Sequence, residues 1–176
     1  LSNLTGSLFH DGESYLDAGC GTGYYLKYIK ENCSLKLDCY GCDVSKKGIS
    51  LAARSDREIT WFVGNVFHLP FEDNSLDGLM SVFCPYSGRE FGRIIREGGY
   101  VISVTPGRDH LYSLKETVYE EPYYNEEKTY DLPGFELVSR ENVVNEIHLA
   151  DNEDIRILWM MMPYAHRSEE HTSELQ

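Results

Sequence analysis

Short apolar runs alternate along the chain with longer segments in which apolar residues recur at helical spacing. The runs predict strands at 15–18, 37–42, 60–63, 76–83 and 100–104. The longer segments predict helices at 22–31, 46–54, 89–96, 110–119 and 152–162, and residues 135–149 are predicted to be extended. Strands separated by helices indicate βαβ units. The predicted fold class is therefore α/β, with a central, mainly parallel sheet and helices on both faces.

Glycine and polar residues follow four of the predicted strands. Residues 19–23 follow the first strand, Asp43 the second, Asn65 the third and residues 83–86 the fourth. Ligands of open parallel sheets bind beyond the carboxyl ends of the strands, where the strand order reverses. We therefore expect these residues to surround one crevice.

The loop Asp17-Ala-Gly-Cys-Gly-Thr-Gly23 has glycines at alternate positions. A dinucleotide site requires Gly-x-Gly-x-x-Gly, and Tyr24 stands where that pattern needs its third glycine. Alternate glycines let a ligand lie close to the backbone without building a phosphate cradle. Asp17 adds a negative charge beside the loop, which favours a cationic ligand over a diphosphate.

S-adenosylmethionine is such a ligand, because it carries a sulfonium and an ammonium group and no phosphate. Asp43 is placed to accept its ribose hydroxyls, and Asn65 to bind the adenine edge between Val44 and Val66. The alternative is purely structural. In that case the glycines serve a tight turn, and Asp43 caps the helix that begins at residue 46.

The chain of 176 residues is acidic, with a net charge of −13. Its last ten residues, 167–176, resemble a translated sequencing adapter, and we expect a non-native tail behind a single domain at 1–166, truncated at both ends. Removing one Arg and three Glu with this tail moves the net charge from −13 to −11. A domain that bound RNA without a second module would show a basic face. The charge therefore argues against autonomous RNA binding, but not against a catalytic domain served by a separate RNA-reading module.

The five cysteines are an odd number and do not form the pattern of a disulfide framework. Cys39 and Cys42 lie three apart in a predicted strand and point to opposite faces, so neither a shared metal ion nor a disulfide is expected. A reducing, cytoplasmic location is predicted. The sequence has no apolar run of membrane-spanning length, so no membrane partner is expected.

A resemblance to the class I S-adenosylmethionine-dependent methyltransferases, which have a Rossmann-like fold, is carried by 17–23, Asp43, 69–71 and 98–100. A narrower resemblance, to the bacterial 23S rRNA guanine-N1 methyltransferases, is carried by 41–54, 83–125 and 161–165. The likeness covers about residues 13 to 166. The run at 105–115 is its most specific part.

This resemblance implies methyl transfer from S-adenosylmethionine to N1 of a guanine in a 23S rRNA hairpin. It also assigns cofactor binding to the glycine loop and to His110. The expected cofactor-binding residues are then Asp17, Gly19, Cys20, Gly21, Thr22, Gly23, Asp43, Val44, Asn65, Val66 and His110. Family members carry an N-terminal four-cysteine zinc module, which this sequence lacks, so the RNA-recognition module is expected to be missing. Thr22, where the family often has Glu, is a departure from the pattern.

Residues 83–86 occupy the place where exocyclic-amine methyltransferases have Asn-Pro-Pro-Tyr. Phe83 lacks the carboxamide of that asparagine, which argues against adenine N6 or a protein glutamine as the acceptor. Phe83, Pro85 and Tyr86 are instead predicted to form a wall for the target base. Guanine N1 must lose a proton, and His110 and Asp109 are the candidate acceptors, although Asp109 also suits a helix cap.

Two other functions stay open. One is methylation of a small molecule by the same type of domain, for which the acidic charge needs no explanation. The other is cofactor binding without catalysis. The acidic, tyrosine-rich loop at 120–134 is predicted to be a lid over the substrate, with packing of its tyrosines on the domain itself as the alternative.

Overall fold

The computed structural model describes residues 8–126, 132–149 and 151–160. The chain divides into two compact units, Leu1–Val138 and Ser139–Gln176. The predicted tail at 167–176, the segment 161–165 and the centre of the tyrosine-rich loop at 127–131 lie outside the described residues.

The first unit contains a five-stranded parallel sheet. Its strands are β1 Ser14–Ala18, β2 Asp38–Asp43, β3 Thr60–Val63, β4 Leu76–Val82 and β5 Ile95–Val104. They are arranged in the order β3-β2-β1-β4-β5, so the strand order reverses between β1 and β4. Ala18 lies opposite Cys42 on one side and Ser81 on the other, which brings three strand ends to the same edge of the sheet. The predicted α/β class with a parallel sheet is confirmed.

The helices follow the strands with small shifts from the predicted bounds. They are α1 Tyr24–Asn32, α2 Lys46–Ser55, α3 Gly88–Ile94, α4 Tyr112–Val118 and, in the second unit, α5 Asn152–Met160. Helix α1 begins later than predicted because Gly23 adopts a left-handed conformation, with φ of 80°. The Ser45 hydroxyl accepts a hydrogen bond from the Gly48 amide at 3.1 Å and caps α2.

Two apolar clusters cover the two faces of the sheet. One is formed by buried residues that include Leu16, Ala18, Cys42, Leu79 and Phe91. The other includes Tyr15, Leu26, Ile29, Cys39 and Met80. Successive residues of β1 and β2 alternate between the clusters, as a pleated strand requires. Cys39 and Cys42 accordingly lie on opposite faces, as predicted.

Strand β5 differs from the prediction, which continued a helix to residue 96 and began the strand at residue 100. The strand begins at Ile95, and its pairing with β4 shifts between Leu76 and Gly78. Gly98 takes a left-handed φ of 75° inside this irregularity. The two glycines that suggested a helix end therefore serve a bulge within a strand.

The extended segment predicted at 135–149 contains no helix or hydrogen-bonded strand, and many of its apolar side chains are exposed. In the second unit, α5 opens with Asp151 accepting hydrogen bonds from the amides of Glu153 and Asp154, both at 2.9 Å. Every helix within the described ranges is too short or too polar to cross a bilayer.

Candidate functional site

A cleft of about 320 Å³ lies at the carboxyl edge of the sheet, where the loops after β1, β2, β3 and β4 meet. It is lined by Gly19, Asp43, Val44, Asn65, Val66, Phe67, Val82, Phe83, Cys84 and Pro85. Seven of these residues were predicted from the sequence as cofactor or substrate contacts. Phe67, Val82 and Cys84 were not, because nothing in an isolated apolar residue marks it as a cleft wall.

The glycine loop needs its glycines for conformation and for space. Gly19, Gly21 and Gly23 have φ values of 83°, 56° and 80°, in the left-handed region that side chains disfavour. A Cβ at Gly19 would overlap the side chain of Cys84, and one at Gly23 would overlap the ring of Trp61. The loop is therefore pressed against the domain on one side, and its backbone remains open at Gly21.

Asp43 fixes the loop and faces the cleft. One carboxylate oxygen accepts the Gly21 amide at 2.8 Å, and the other accepts the Ser45 amide at 2.8 Å. Each oxygen has further acceptor capacity, so the carboxylate is oriented and still able to accept ligand hydroxyls. Because Ser45 caps α2, the cap does not account for Asp43.

Asp17 lies at the end of β1 behind the glycine loop and is only 1% exposed. Its Oδ2 atom has no hydrogen-bond partner. Burial, together with the nearby charge of Asp43, raises the pKa of Asp17 to about 7. Asp17 does not line the cleft, but a buried, unpaired carboxyl beside the loop suits a cationic ligand.

The loop after β3 supplies one wall. Asn65 Oδ1 accepts the Phe67 amide at 3.0 Å, which turns the chain so that both residues line the cleft. Val66 is buried, whereas 54% of Phe67 is exposed. This wall is therefore apolar, with one amide side chain at its rim.

The loop after β4 supplies the opposite wall. Phe83 has a positive φ of 51°, which is strained for an aromatic residue, and its amide donates to Val104 O at 2.9 Å. Its ring is half exposed and lies 5.1 Å from the His110 ring, tilted by 35°. His110 is not among the cleft-lining residues but packs on one of them.

His110 is a suitable proton acceptor. Burial and the positive charge of Lys115 lower the pKa of its imidazole, which is therefore neutral at pH 7. Asp109 is exposed on the same turn. The residue before α4 is Leu111, and no side chain caps that helix, so the suggestion that Asp109 is a helix cap was wrong.

Five other predicted residues are also absent from the cleft wall: Gly21 and Gly23 of the glycine loop, Cys20, Thr22 and Tyr86. Cys20 is buried, and burial raises the pKa of its thiol. Thr22 is exposed within the glycine loop. Tyr86 packs edge to face on Phe91, with ring centroids 5.5 Å apart. Thus about half of the sequence-predicted residues line the cleft, and the others do not.

Cys84 in the cleft wall and Cys42 in the buried core are packing residues. Burial raises the pKa of the Cys42 thiol to about 12 and that of Cys84 to about 11, so both are protonated at neutral pH. Within the described ranges, no group of three or more His, Cys, Asp or Glu side chains is arranged to hold a metal ion. The chemistry of the site is therefore that of an apolar cleft with Asp43 at one rim and His110 behind the opposite wall.

Comparison with known proteins gives a consistent result. Residues 16–103 match the family model described as "Methyltransferase domain". A Bacillus subtilis (strain 168) protein named "Putative 23S rRNA (guanine-N(1)-)-methyltransferase YxjB" is 32% identical over 112 residues, which are 62% of this chain and 40% of that protein. The "23S rRNA (guanine(748)-N(1))-methyltransferase" of Streptomyces fradiae is 35% identical over 102 residues, 56% of this chain and 35% of that protein.

The fold is shared with a solved S-adenosylmethionine-dependent methyltransferase from Aquifex aeolicus, with a TM-score of 0.53 and 18% identity over 60% of this chain and 63% of that one. The chain spans well under half the length of the two curated relatives named above. The matched family covers half of the chain, and every residue that lines the cleft lies within the matched range. The chain belongs to the methyltransferase domain family, with S-adenosylmethionine as its cofactor.

Proposed function

We propose that the chain transfers a methyl group from S-adenosylmethionine to N1 of a guanine in 23S rRNA. The observation that carries this proposal is the 32–35% identity to two proteins named as methyltransferases of that position. It is supported by the loop after β4, where Phe83 replaces the asparagine that would accept an exocyclic amino proton.

The residues present fit the cofactor. The oriented carboxylate of Asp43 suits the two ribose hydroxyls, and the apolar wall of Val44 and Val66 suits the faces of adenine. The unpartnered Oδ2 of Asp17 would supply negative charge behind a loop that receives a cation. Gly19, Gly21 and Gly23 would let the amino-acid part of the cofactor lie against the backbone.

S-adenosylmethionine supplies an electrophilic methyl group on a sulfonium. The domain's task is to hold the acceptor nitrogen in line with that methyl at close range. The proton of guanine N1 must leave, and the neutral imidazole of His110 is the group suited to take it. Asp109, exposed on the same turn, is the second candidate for this proton.

The half-exposed ring of Phe83 and the adjacent Pro85 offer an apolar surface for the target base. Aromatic side chains hold splayed RNA bases by stacking, which fixes their plane without reading their sequence. In this proposal the RNA sequence is recognised outside this domain. A net charge of −11 for residues 1–166 gives the domain no general attraction to phosphate.

A small-molecule acceptor is the second candidate. The same net charge and the mostly apolar cleft wall favour it, because both suit a compact uncharged acceptor. Non-catalytic cofactor binding would leave the neutral His110 without a role.

Incubation with methyl-labelled cofactor separates these functions. The acceptors are large-subunit RNA that lacks N1-methylguanine, the same RNA already methylated, and a panel of small molecules. The chain is tested on each acceptor, and a full-length relative serves as the positive control. The proposal predicts label in N1-methylguanine of the unmethylated RNA only. Label in a small acceptor supports the second candidate. Label in none, with the control active, refutes catalysis by this chain.

A further inference from the structure

The turn that carries His110 is strained. Leu111, directly after it, has a φ of 54° and a ψ of 29°, a left-handed conformation that is costly for a leucine. Such conformations persist only where surrounding contacts hold them, and they concentrate at functional sites. Some feature outside the turn must therefore stabilise it.

Asn125 makes the contacts that do so. Its backbone amide donates to Arg108 O at 2.9 Å, and its side-chain Nδ2 donates to Gly107 O at 2.9 Å and His110 O at 3.3 Å. Three backbone carbonyls of one turn thus accept hydrogen bonds from a single residue, which lies at least fifteen positions later in the chain. A strained turn held at three points has little freedom to relax.

The other end of the Asn125 amide binds a buried cation. Its Oδ1 accepts from Lys115 Nζ at 2.7 Å. Lys115 is fully buried, donates also to Tyr123 O at 3.2 Å, and lies 4.3 Å from the centre of the Tyr123 ring. The same lysine charge contributes to the lowered pKa of His110. Asn125 therefore joins the turn, the buried charge and the segment that follows α4.

That segment packs on the turn through its aromatic residues as well. Tyr124 stacks on Tyr112 with ring centroids 4.2 Å apart and planes 8° apart, and Arg108 lies 4.4 Å from the centre of the Tyr124 ring. The described part of the loop that was predicted to be a lid is thus fastened to the domain. Tyr123 and Tyr124 pack on the domain itself, which is the alternative to a lid that the sequence left open.

We propose that Asn125 is a positioning residue, which locks the strained turn at 107–111 so that the His110 ring stays on Phe83 at the cleft. Lys115 on α4 is the charged group that acts on this ring, and Arg108 and Asp109 precede His110 on the turn itself. The proposal rests on the proposed function, since it gives His110 its place beside the cofactor and the acceptor base.

Hydrogen exchange of the unaltered chain gives the first test. The Asn125 amide is expected to exchange at least about 100-fold more slowly than in an unfolded peptide, because it donates to Arg108 O. Exchange at the unfolded rate would overturn the proposal whatever the variants do.

Two variants give the second test. Asn125→Ala removes the whole side chain, and Asn125→Asp keeps an oxygen for Lys115 while removing the two Nδ2 donors. Asn32→Ala is the matched control, because Asn32 Nδ2 donates to Tyr28 O at 2.8 Å on the surface of α1. The readouts are the ring-current shift of the His110 imidazole protons, its titration by NMR and the dissociation constant of S-adenosylmethionine.

In both Asn125 variants we expect the ring-current shift from Phe83 to collapse and the pKa of His110 to rise toward its ordinary value. Cofactor affinity should fall about five- to tenfold, and single-turnover methyl transfer about 100-fold. The control should match the unaltered chain. Folded Asn125→Asp protein with an unaltered His110 spectrum would contradict the proposal. Failure of the unaltered chain to bind cofactor would instead refute the proposed function, because the ring-current readout needs no ligand.

Discussion

The carboxylates at the two edges of the sheet differ in whether the protein itself supplies their bonding partners. At the amino edge, Asp77 accepts the Ser14 amide at 2.7 Å and pairs with Arg96. Burial opposes ionisation there, but the bonds from Ser14 and Arg96 outweigh it and lower the pKa of Asp77. At the carboxyl edge, Asp17 keeps an unpartnered oxygen, and its pKa rises to about 7.

The same contrast extends to neighbouring residues. Glu13 at the amino edge accepts the Tyr100 hydroxyl at 2.9 Å and the His10 amide at 2.9 Å, and lies 3.4 Å from Arg96. The carboxyl edge instead holds a strained aromatic residue, Phe83, and the unpartnered oxygen of Asp17. The carboxylates of one edge, Asp77 and Glu13, are paired within the fold and stabilise it. The other edge retains strain and unmet bonding capacity, which a ligand can relieve.

The largest expected effect concerns the pH dependence of Asp17. Its folded pKa exceeds its unfolded value of 3.8, so the folded state binds more protons between about pH 4 and pH 7. The unfolding free energy therefore falls as pH rises through that window, and at about 1.4 kcal/mol per pKa unit the loss approaches about 4 kcal/mol. Asp17→Asn should abolish this decline, as measured by urea unfolding at several pH values.

Asp77→Asn is the matched variant at the other edge. Because the folded pKa of Asp77 is lowered, its contribution is present above the unfolded pKa and is lost as pH falls through the folded pKa. In Asp77→Asn, the unfolding free energy should depend less on pH below about pH 4, and its dependence between about pH 4 and pH 7 should be unchanged. If the unfolding free energies of the two variants depended on pH in the same way, the proposed difference between the two edges would be wrong.

Glu13→Ala should destabilise the fold by about 2–3 kcal/mol, because it leaves the Tyr100 hydroxyl and the His10 amide without their acceptor, whereas Arg96 keeps Asp77 as its partner. Glu97→Ala, an exposed position on the same strand, should change stability by less than about 0.5 kcal/mol. Chemical unfolding measures both. Cofactor affinity should be equal in the two variants, and a selective loss in Glu13→Ala would show that the edges are coupled.

The smallest expected effect is the difference between two glycine-to-alanine substitutions, which separates backbone strain from steric overlap of the added Cβ. Gly12 and Gly23 have similar φ values of 84° and 80°, but a Cβ meets nothing within 4 Å at Gly12 and meets the Trp61 ring at Gly23. Gly12→Ala should cost about 1 kcal/mol from conformation alone, and Gly23→Ala about 2 kcal/mol more from overpacking. Thermal unfolding measures the difference. Equal losses would mean that the glycine loop is not pressed against Trp61.

The sequence predicted what depends on local pattern. Apolar runs located all five strands, and the residues after their ends, including Asp43, Asn65 and Phe83, line one cleft. The start of β5 was missed because glycines at a helix end and in a bulge look alike from sequence. Contacts such as Cys84 against Gly19 join residues far apart in the chain, and no spacing rule reveals them.

The turn at 107–111 also depends on a contact that the sequence did not predict. The sequence pointed to His110 through a family resemblance, but it gave no sign that Asn125 binds three carbonyls beside it. An asparagine in an acidic, tyrosine-rich segment is typical of a loop. Its role becomes visible only when the hydrogen bonds of the strained turn are traced.

The central claim, that the carboxyl-edge cleft binds S-adenosylmethionine through Asp43, is tested most directly by calorimetry. The affinities of the unaltered chain, Asp43→Ala and Asp38→Ala are compared, since Asp38 begins the same strand and is exposed at its opposite end. Loss of two charge-assisted hydrogen bonds at about 1.5–3 kcal/mol each predicts at least about 100-fold weaker binding for Asp43→Ala. Asp38→Ala should bind as the unaltered chain does. Equal affinities for all three proteins would contradict the account.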